Sequence, residues 1–354
     1  MTIIWDATAA EILVLLLAGF AGGAFGASIG ALPAFVVTGL FTIIGEAAPE
    51  GAPGITGQLA FGPVFGPHVS FAGGVAAAAY AAKRGGMPDP SDGEYHPAKS
   101  IGYALGTRWD ILAVGGAFGM LGVAIRRTSQ FTLTLPIDPP AMGVIGTAVA
   151  ARLVFGYPMI GKARGSNLFD MGPFESGQRR TATDGGEASA DGGHSYRLAT
   201  EPWLPHQYKW SGVAMLGLVA GIAGAFIGIT TNSATLAFGL SAASLLFLNL
   251  GVEQFPVTHH ITLPSAFIAL MVTTPESATE ASVAGLGEPA ALVVGGVAGI
   301  VGALLGEVVQ RIFYAHSDTH FDPPAGSIIV TTLSLGLLAL AGVIPGIANI
   351  PGTV

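Results

Sequence analysis

The chain has 354 residues, of which 51% are hydrophobic and only 10% charged, with mean hydropathy +0.63 and a formal net charge of -8. Soluble domains carry about 25% charged residues, so this chain has too little polar surface to coat a water-soluble globule and belongs in a bilayer. The absence of cysteine rules out a disulfide framework, a thiolate metal site and a thiol nucleophile.

The N-terminal stretch MTIIWDATAAEILVLLLAGF has no Lys or Arg ahead of its apolar run and carries Asp6 and Glu11. A secretory signal needs a positive leading region, so this stretch reads as a retained first membrane helix. Apolar stretches fall at 10–30, 33–47, 60–82, 109–126 and 139–158. They recur at 211–229, 234–251, 260–275, 289–314 and 324–343. Between the two sets lies a polar stretch rich in Gly and charge, with a tract TATDGGEASADGGH of disordered composition. The expected organisation is a first membrane repeat over 1–158, a cytoplasmic linker over 159–209 and a second membrane repeat over 210–354. The short stretch 33–47 either crosses or dips and returns.

The two sets resemble each other in order. AGFAGGAFG (Ala18 to Gly26) faces AGIAGAFIG (Ala220 to Gly228). HVSFAGG, from His68, faces HITLPSA, from His260, and pairs Ser70 with Thr262. VGGAFGMLG (Val114 to Gly122) faces VGGVAGIVG (Val294 to Gly302), and Asp-Pro-Pro-Ala occurs at Asp138 and again at Asp322. Four motifs in one order point to internal duplication of a five-segment unit. An odd number of crossings per unit makes the second copy inverted relative to the first. With the linker inside, twelve of the fourteen basic residues fall inside and only Arg126 and Arg127 outside, as the positive-inside rule favours. The fold expected is all-α and polytopic, with about ten membrane segments in two inverted five-segment repeats.

Asp is a preferred helix cap and Pro a preferred first helical residue, so each Asp-Pro-Pro-Ala marks a helix start. In an inverted repeat, Asp138 and Asp322 would bring two positive helix ends and two carboxylates to one pathway from opposite faces. Helix starts with Pro-containing signatures in an inverted repeat resemble aquaporin-type and urea-transporter-type layouts, although no NPA signature is present. His68 and His260, each followed by a hydroxyl, are either hydrogen-bonded interfacial residues or lining of that pathway. His316 and His320 in HSDTH have no counterpart in the first half, so no metal site is expected. The glycines of both V-G-G-x-x-G-x-x-G runs share one helix face and serve close packing. Glu307 and Arg311 are spaced for an i,i+4 pair. Glu46, Asp110 and Glu253 sit at segment ends within reach of water, and Arg152 is placed to snorkel from the inner end of its helix.

Two broken stretches correspond, GASIGALPAFVVTG from Gly26 and GITTNSATLAFG from Gly228. Polar interruptions at matching positions of two repeats point to a transporter's binding site, here Thr230, Thr231, Asn232 and Ser233. The run Gly-Ala-Leu-Pro is similar to Gly- and Pro-rich motifs of tricarboxylate-type carriers, but the chain is short for that family and is not assigned to it. In composition and layout the chain resembles uncharacterised multi-pass membrane proteins of haloarchaea, which implies a high-salt source and a place in the cell membrane. Motifs for serine hydrolysis, zinc peptidases, nucleotide loops and dinucleotide binding are absent, as is a basic patch for nucleic acid. The reading is a channel or secondary transporter for a small solute or ion, without cofactor and not an enzyme. The rival reading is a non-transporting scaffold or lipid-binding homo-oligomer whose glycines serve assembly.

Overall fold

The computed structural model describes residues 8–48, 54–87, 94–180 and 197–354. These residues are all-helical, without a β-strand, and the tract expected to be disordered lies outside them. The first helix, α1 (Ala9–Ile29), starts from a capping box in which Thr8 and Glu11 satisfy each other's backbone amides. It ends at Gly30, whose φ of 95° suits only glycine, and α2 (Ala31–Ala47) follows at once. Then come α3 (Ala72–Lys83), α4 (Trp109–Arg127), α5 (Pro139–Phe155) and the single-turn α6 (Gly172–Glu175). The second set is α7 (Trp210–Thr231), α8 (Ala234–Asn249), α9 (His259–Thr273), α10 (Glu288–Val309) and α11 (Pro323–Leu340).

Five helical stretches are long and apolar enough to cross a membrane: Ala9–Ile29, Trp109–Thr132, Trp210–Thr231, Glu288–Tyr314 and Pro323–Leu340. The helices α2, α5, α8 and α9 are apolar but shorter. The stretch 60–82, continuous in hydropathy, is broken in structure. A π-helical turn at Ile55–Ala60 gives way to irregular chain and a second such turn at Pro67–Phe71 before α3 begins. Gly-Pro pairs at 62–63 and 66–67 cause the break, because proline lacks an N–H and drives the residue before it out of the helical region. Large apolar side chains lie exposed along the outside, among them Leu13 and Leu17 on α1, Met215 and Val219 on α7, and Val293 and Val297 on α10. Such continuous apolar faces belong against lipid or another protein.

Packing follows the small residues. A methyl group on Gly23 of α1 would collide with the Gly115 carbonyl of α4, and one on Gly221 of α7 would stand 2.7 Å from the Gly295 carbonyl of α10. The helices α1 and α4 thus meet backbone to backbone as α7 and α10 do. The two sets meet through α2 and α8, where Gly39 lies against the backbone of Ala242 and Ala243 and Gly239 against Thr42. A second meeting joins α5 and α11. The Asp138 N–H donates to Thr332 Oγ1 over 2.9 Å, placing the start of α5 beside the middle of α11. Phe321, just before α11, shares an apolar cluster with Val309 and with Ala148 in the middle of α5.

Contacts sort the loops into two groups. In one, Leu105 and Gly106 donate to carbonyls at the end of α1, and Val257 N donates to Gln207 Oε1 in the linker. Lys99 and Glu201 bring the loop after α3 and the linker together beside Tyr314. In the other group, Glu46 at the end of α2 meets Ser233 at the start of α8 over 2.6 Å, and Ser282 and Val283 donate to Gly342 and Val343. The linker is more than a spacer. On either side of its undescribed tract it is knitted to the helices, with His316 Nε2 3.0 Å from the Leu168 carbonyl and Arg311 donating to the carbonyls of Phe169 and Tyr208.

Candidate functional site

Both Asp-Pro-Pro-Ala motifs fold as the residues dictate. Asp138 Oδ1 accepts from Ala141 N at 2.7 Å, and Asp322 Oδ2 accepts from Ala325 N at 2.8 Å. Each carboxylate consumes the first free amide of its helix and sits against the positive end of the helix dipole. In each helix the face one turn on, Ala141 and Val144 or Ala325 and Ile328, turns toward the same space. That space is a cavity of about 170 Å³, lined by Asp138 and Asp322 together.

The rest of its wall comes from four further directions. Helix α2 supplies Leu32 and Phe35, the broken segment Phe61 and Phe71, α8 Phe238 and Leu245, and α9 His259 and Leu263. On the linker side it is roofed by Ile101, Trp203, Leu204 and Tyr314, with Lys99 and His320 at the edge. His320 Nε2 lies 3.2 Å from Asp322 Oδ1, and the Nδ1 atoms of His259 and His320 have no partner. The lining is therefore aromatic and aliphatic, with two carboxylates, two imidazoles, an amine and a phenol.

The roof is pinned by buried charge. Glu201, fully buried, takes Lys99 Nζ at 2.7 Å and Arg197 at 2.9 Å, with Arg180 at 3.6 Å. Arg180 and Arg197 also reach Asp318 in the loop before α11. Burial pushes the Lys99 amine down to about 8, against the pull of Glu201. Burial also opposes ionisation of Asp318, yet Arg197 and Arg180 outweigh it and hold that carboxyl well below its ordinary range.

The other expected pathway residues do not reach this cavity. His68 and His260 are both buried and occupy equivalent places, the His68 carbonyl against Gly122 and the His260 carbonyl against Gly302. Their neighbour His259 lines the cavity instead. Ser70 donates to the Phe65 and Gly66 carbonyls, and Thr262 to that of Ala237. Both hydroxyls are thus taken up locally. Asn232 and Ser233 line a second, more polar space of about 450 Å³ with Glu46, Thr235 and Thr274. Thr231 donates to the Ile227 carbonyl, and Thr230 is exposed.

Arg152 does not snorkel. It is fully buried and donates to Thr319, Ser317 and the carbonyls of Met159, Phe313 and Thr319, with Phe321 stacked 5.0 Å away. It meets backbone oxygens that the turn after α10 leaves free. Glu307 and Arg311 form the expected pair, extended by Gln310 Nε2 at 3.0 Å. Among the described residues no cluster of His, Asp and Glu is arranged to hold a metal ion, and His316 and His320 turn to different partners. Sequence reasoning passed over Lys99, Glu201, Trp203 and His259. For Lys99 and Glu201 the signal was that charges bordered by apolar helices have few partners but each other; Trp203 carried none.

These features define a class: among the described residues, an all-helical fold with five helices long and apolar enough to cross a membrane, around a cavity of mixed aromatic, aliphatic and ionisable lining. The chain belongs to the family of unknown function DUF7973, with a match over residues 4–353. No curated protein and no solved structure matches it.

Proposed function

We propose that the protein is a multi-pass membrane channel or secondary transporter for a small solute or ion, built as two inverted five-segment repeats that cross the bilayer ten times. Several features support the inversion. The two loop groups alternate along the chain through all ten segments, and twelve of fourteen basic residues fall with the linker group. Residues that meet across α2 and α8, and across α5 and α11, pair in antiparallel order, as an axis in the membrane plane requires. One observation carries the function: two capped helix starts, one from each half, line a single cavity. Each start lies beside the middle of the other helix, so two helix dipoles and two carboxylates converge well inside the bundle, as in aquaporin-type layouts. Carboxylates at such depth are costly and are kept where they handle solute.

Asp→Asn keeps an oxygen for the cap and removes the charge, whereas Asp→Ala removes both at a cost of about 0.5–2 kcal/mol. In liposomes, Asp138→Asn and Asp322→Asn should each change solute flux or selectivity while leaving thermal stability in detergent near wild type. If both Asn variants transport as wild type and the Ala variants are merely less stable, the motifs are caps alone and the reading fails.

A further inference from the structure

Resting on the reading of this cavity as a solute site, we propose that its ligand is a small organic cation, an ammonium group on a compact apolar body. Of the positive groups near the cavity, Arg126 stands outside its lining on the Asp138 side, and those at the wall itself are consumed. Lys99 Nζ sits 2.7 Å from Glu201 and donates to the Tyr314 carbonyl, and the leading amides of α5 and α11 are held by Asp138 and Asp322. Besides aliphatic side chains, what remains facing the cavity is two carboxylates and a series of aromatic rings. Aromatic rings run in an unbroken chain from Asp322. His320 is 5.4 Å from Tyr314 and 5.7 Å from Phe71, Phe71 is 5.6 Å from Phe35, and Phe35 is 5.7 Å from Phe238. Ring faces attract cations, and desolvated aromatic cages are a recurrent means of holding quaternary ammonium groups. His259, buried and with Nδ1 unpartnered, offers a ring nitrogen for a hydrogen bond at the same wall. The volume of about 170 Å³ is close to that of cavities that hold one benzene-sized molecule, so the body must be compact.

Isosteres separate charge from shape. The full-length protein in lipid nanodiscs is titrated calorimetrically with tert-butylammonium, tert-butanol and pivalate, which share one apolar body and differ in charge. Tert-butylammonium should bind most tightly, and Asp322→Asn, which keeps the cap, should weaken it about tenfold without weakening tert-butanol. Phe71→Leu should weaken the cation more than the alcohol. Equal binding of all three, or preference for pivalate, overturns the cation assignment and leaves the solute site standing. If none of the three binds and the Asn variants carry wild-type flux, the cavity is no solute site and both readings fall.

Discussion

Glu201 offers the sharpest test of how the cavity is closed. Its carboxylate is the shared anion for Lys99, Arg197 and Arg180, at 2.7, 2.9 and 3.6 Å. It lies two residues before Trp203 and three before Leu204, which roof the cavity. Glu201→Gln preserves shape and removes charge. Arg180 and Arg197 would still have Asp318, but Lys99, buried and otherwise bonded only to the Tyr314 carbonyl, would lose its counter-ion. Removing one partner of a buried pair costs about 3–5 kcal/mol. At about 2 °C per kcal/mol for a chain of this size, the melting temperature in detergent should fall by about 6–10 °C. Replacing both partners with apolar residues, Lys99→Met with Glu201→Leu, removes the unpaired charge and should recover much of that loss. Limited proteolysis supplies a second readout, because cleavage near Lys209 should accelerate in Glu201→Gln and return toward wild type in the double variant. A melting temperature within about 2 °C of wild type for Glu201→Gln would mean that the cluster does not hold the roof.

Three further outcomes follow from the same geometry. With the folded Lys99 amine down at about 8 against an ordinary 10.5, the unfolded chain binds a proton across that window that the folded chain has released. Wild-type stability should therefore rise relative to Lys99→Met as pH increases through it, and a flat difference in melting temperature would refute the burial argument. A methyl on Gly122 would overlap the His68 carbonyl oxygen, whereas one on Gly302 would stand 2.9 Å from that of His260. Gly122→Ala should thus cost about 3 kcal/mol or abolish accumulation, and Gly302→Ala should cost clearly less; equal melting temperatures for the two would contradict the packing. Thr107 and Ser277 are exposed in corresponding loops, after α3 and after α9. In this cysteine-free chain, Thr107→Cys should label only from the linker side and Ser277→Cys only from the opposite side, and labelling of both from one side excludes inversion.

Much of the fold was legible because membrane helices declare themselves by hydropathy and their packing by glycine. The stretch expected at 211–229 is α7 at Trp210–Thr231, and that at 289–314 is α10 with its terminal π-helical turn, ending at Tyr314. Hydropathy failed at 60–82 because Gly and Pro interrupt a helix without lowering its apolar character. The site was half legible. Asp138 and Asp322 could be read as helix caps because Asp-Pro-Pro-Ala occurs twice in the sequence, and both fold as caps. His259, Phe71 and Trp203 could not be found, since which side of a short helix or loop faces a cavity depends on neighbours far away in sequence. The linker misled for a related reason. Its polar composition reads as solvated chain, but Arg180 and Glu201 are buried and Arg197 is half-buried, against charges contributed by loops from both halves.

The two sets of helices differ at positions that correspond in sequence. Arg152 lies fourteen residues beyond Asp138, and the same step beyond Asp322 reaches Gly336. One half thus ends its α5 in a buried guanidinium that fastens the turn after α10, and the other places a glycine against the Pro136 backbone. The Glu307–Arg311 pair and the Lys99–Glu201–Arg197–Asp318 cluster fall at the same linker end as Arg152. At the other end the polar contacts of Glu46 with Ser233 and Thr235 border the second, more polar space. A duplicated carrier with identical ends would have no reason to prefer one closed state. If the protein is the carrier proposed above, the charged fastenings concentrated at one end would favour a state closed on the linker side. In a transporter, opening toward that side requires the linker to leave Trp203 and Leu204's place over the cavity. Solute leaving toward the linker side should therefore be slowed by a cross-link between Lys99→Cys and Glu201→Cys. Reduction of that cross-link should restore flux, and unchanged flux in the cross-linked protein would show that the roof is not the gate.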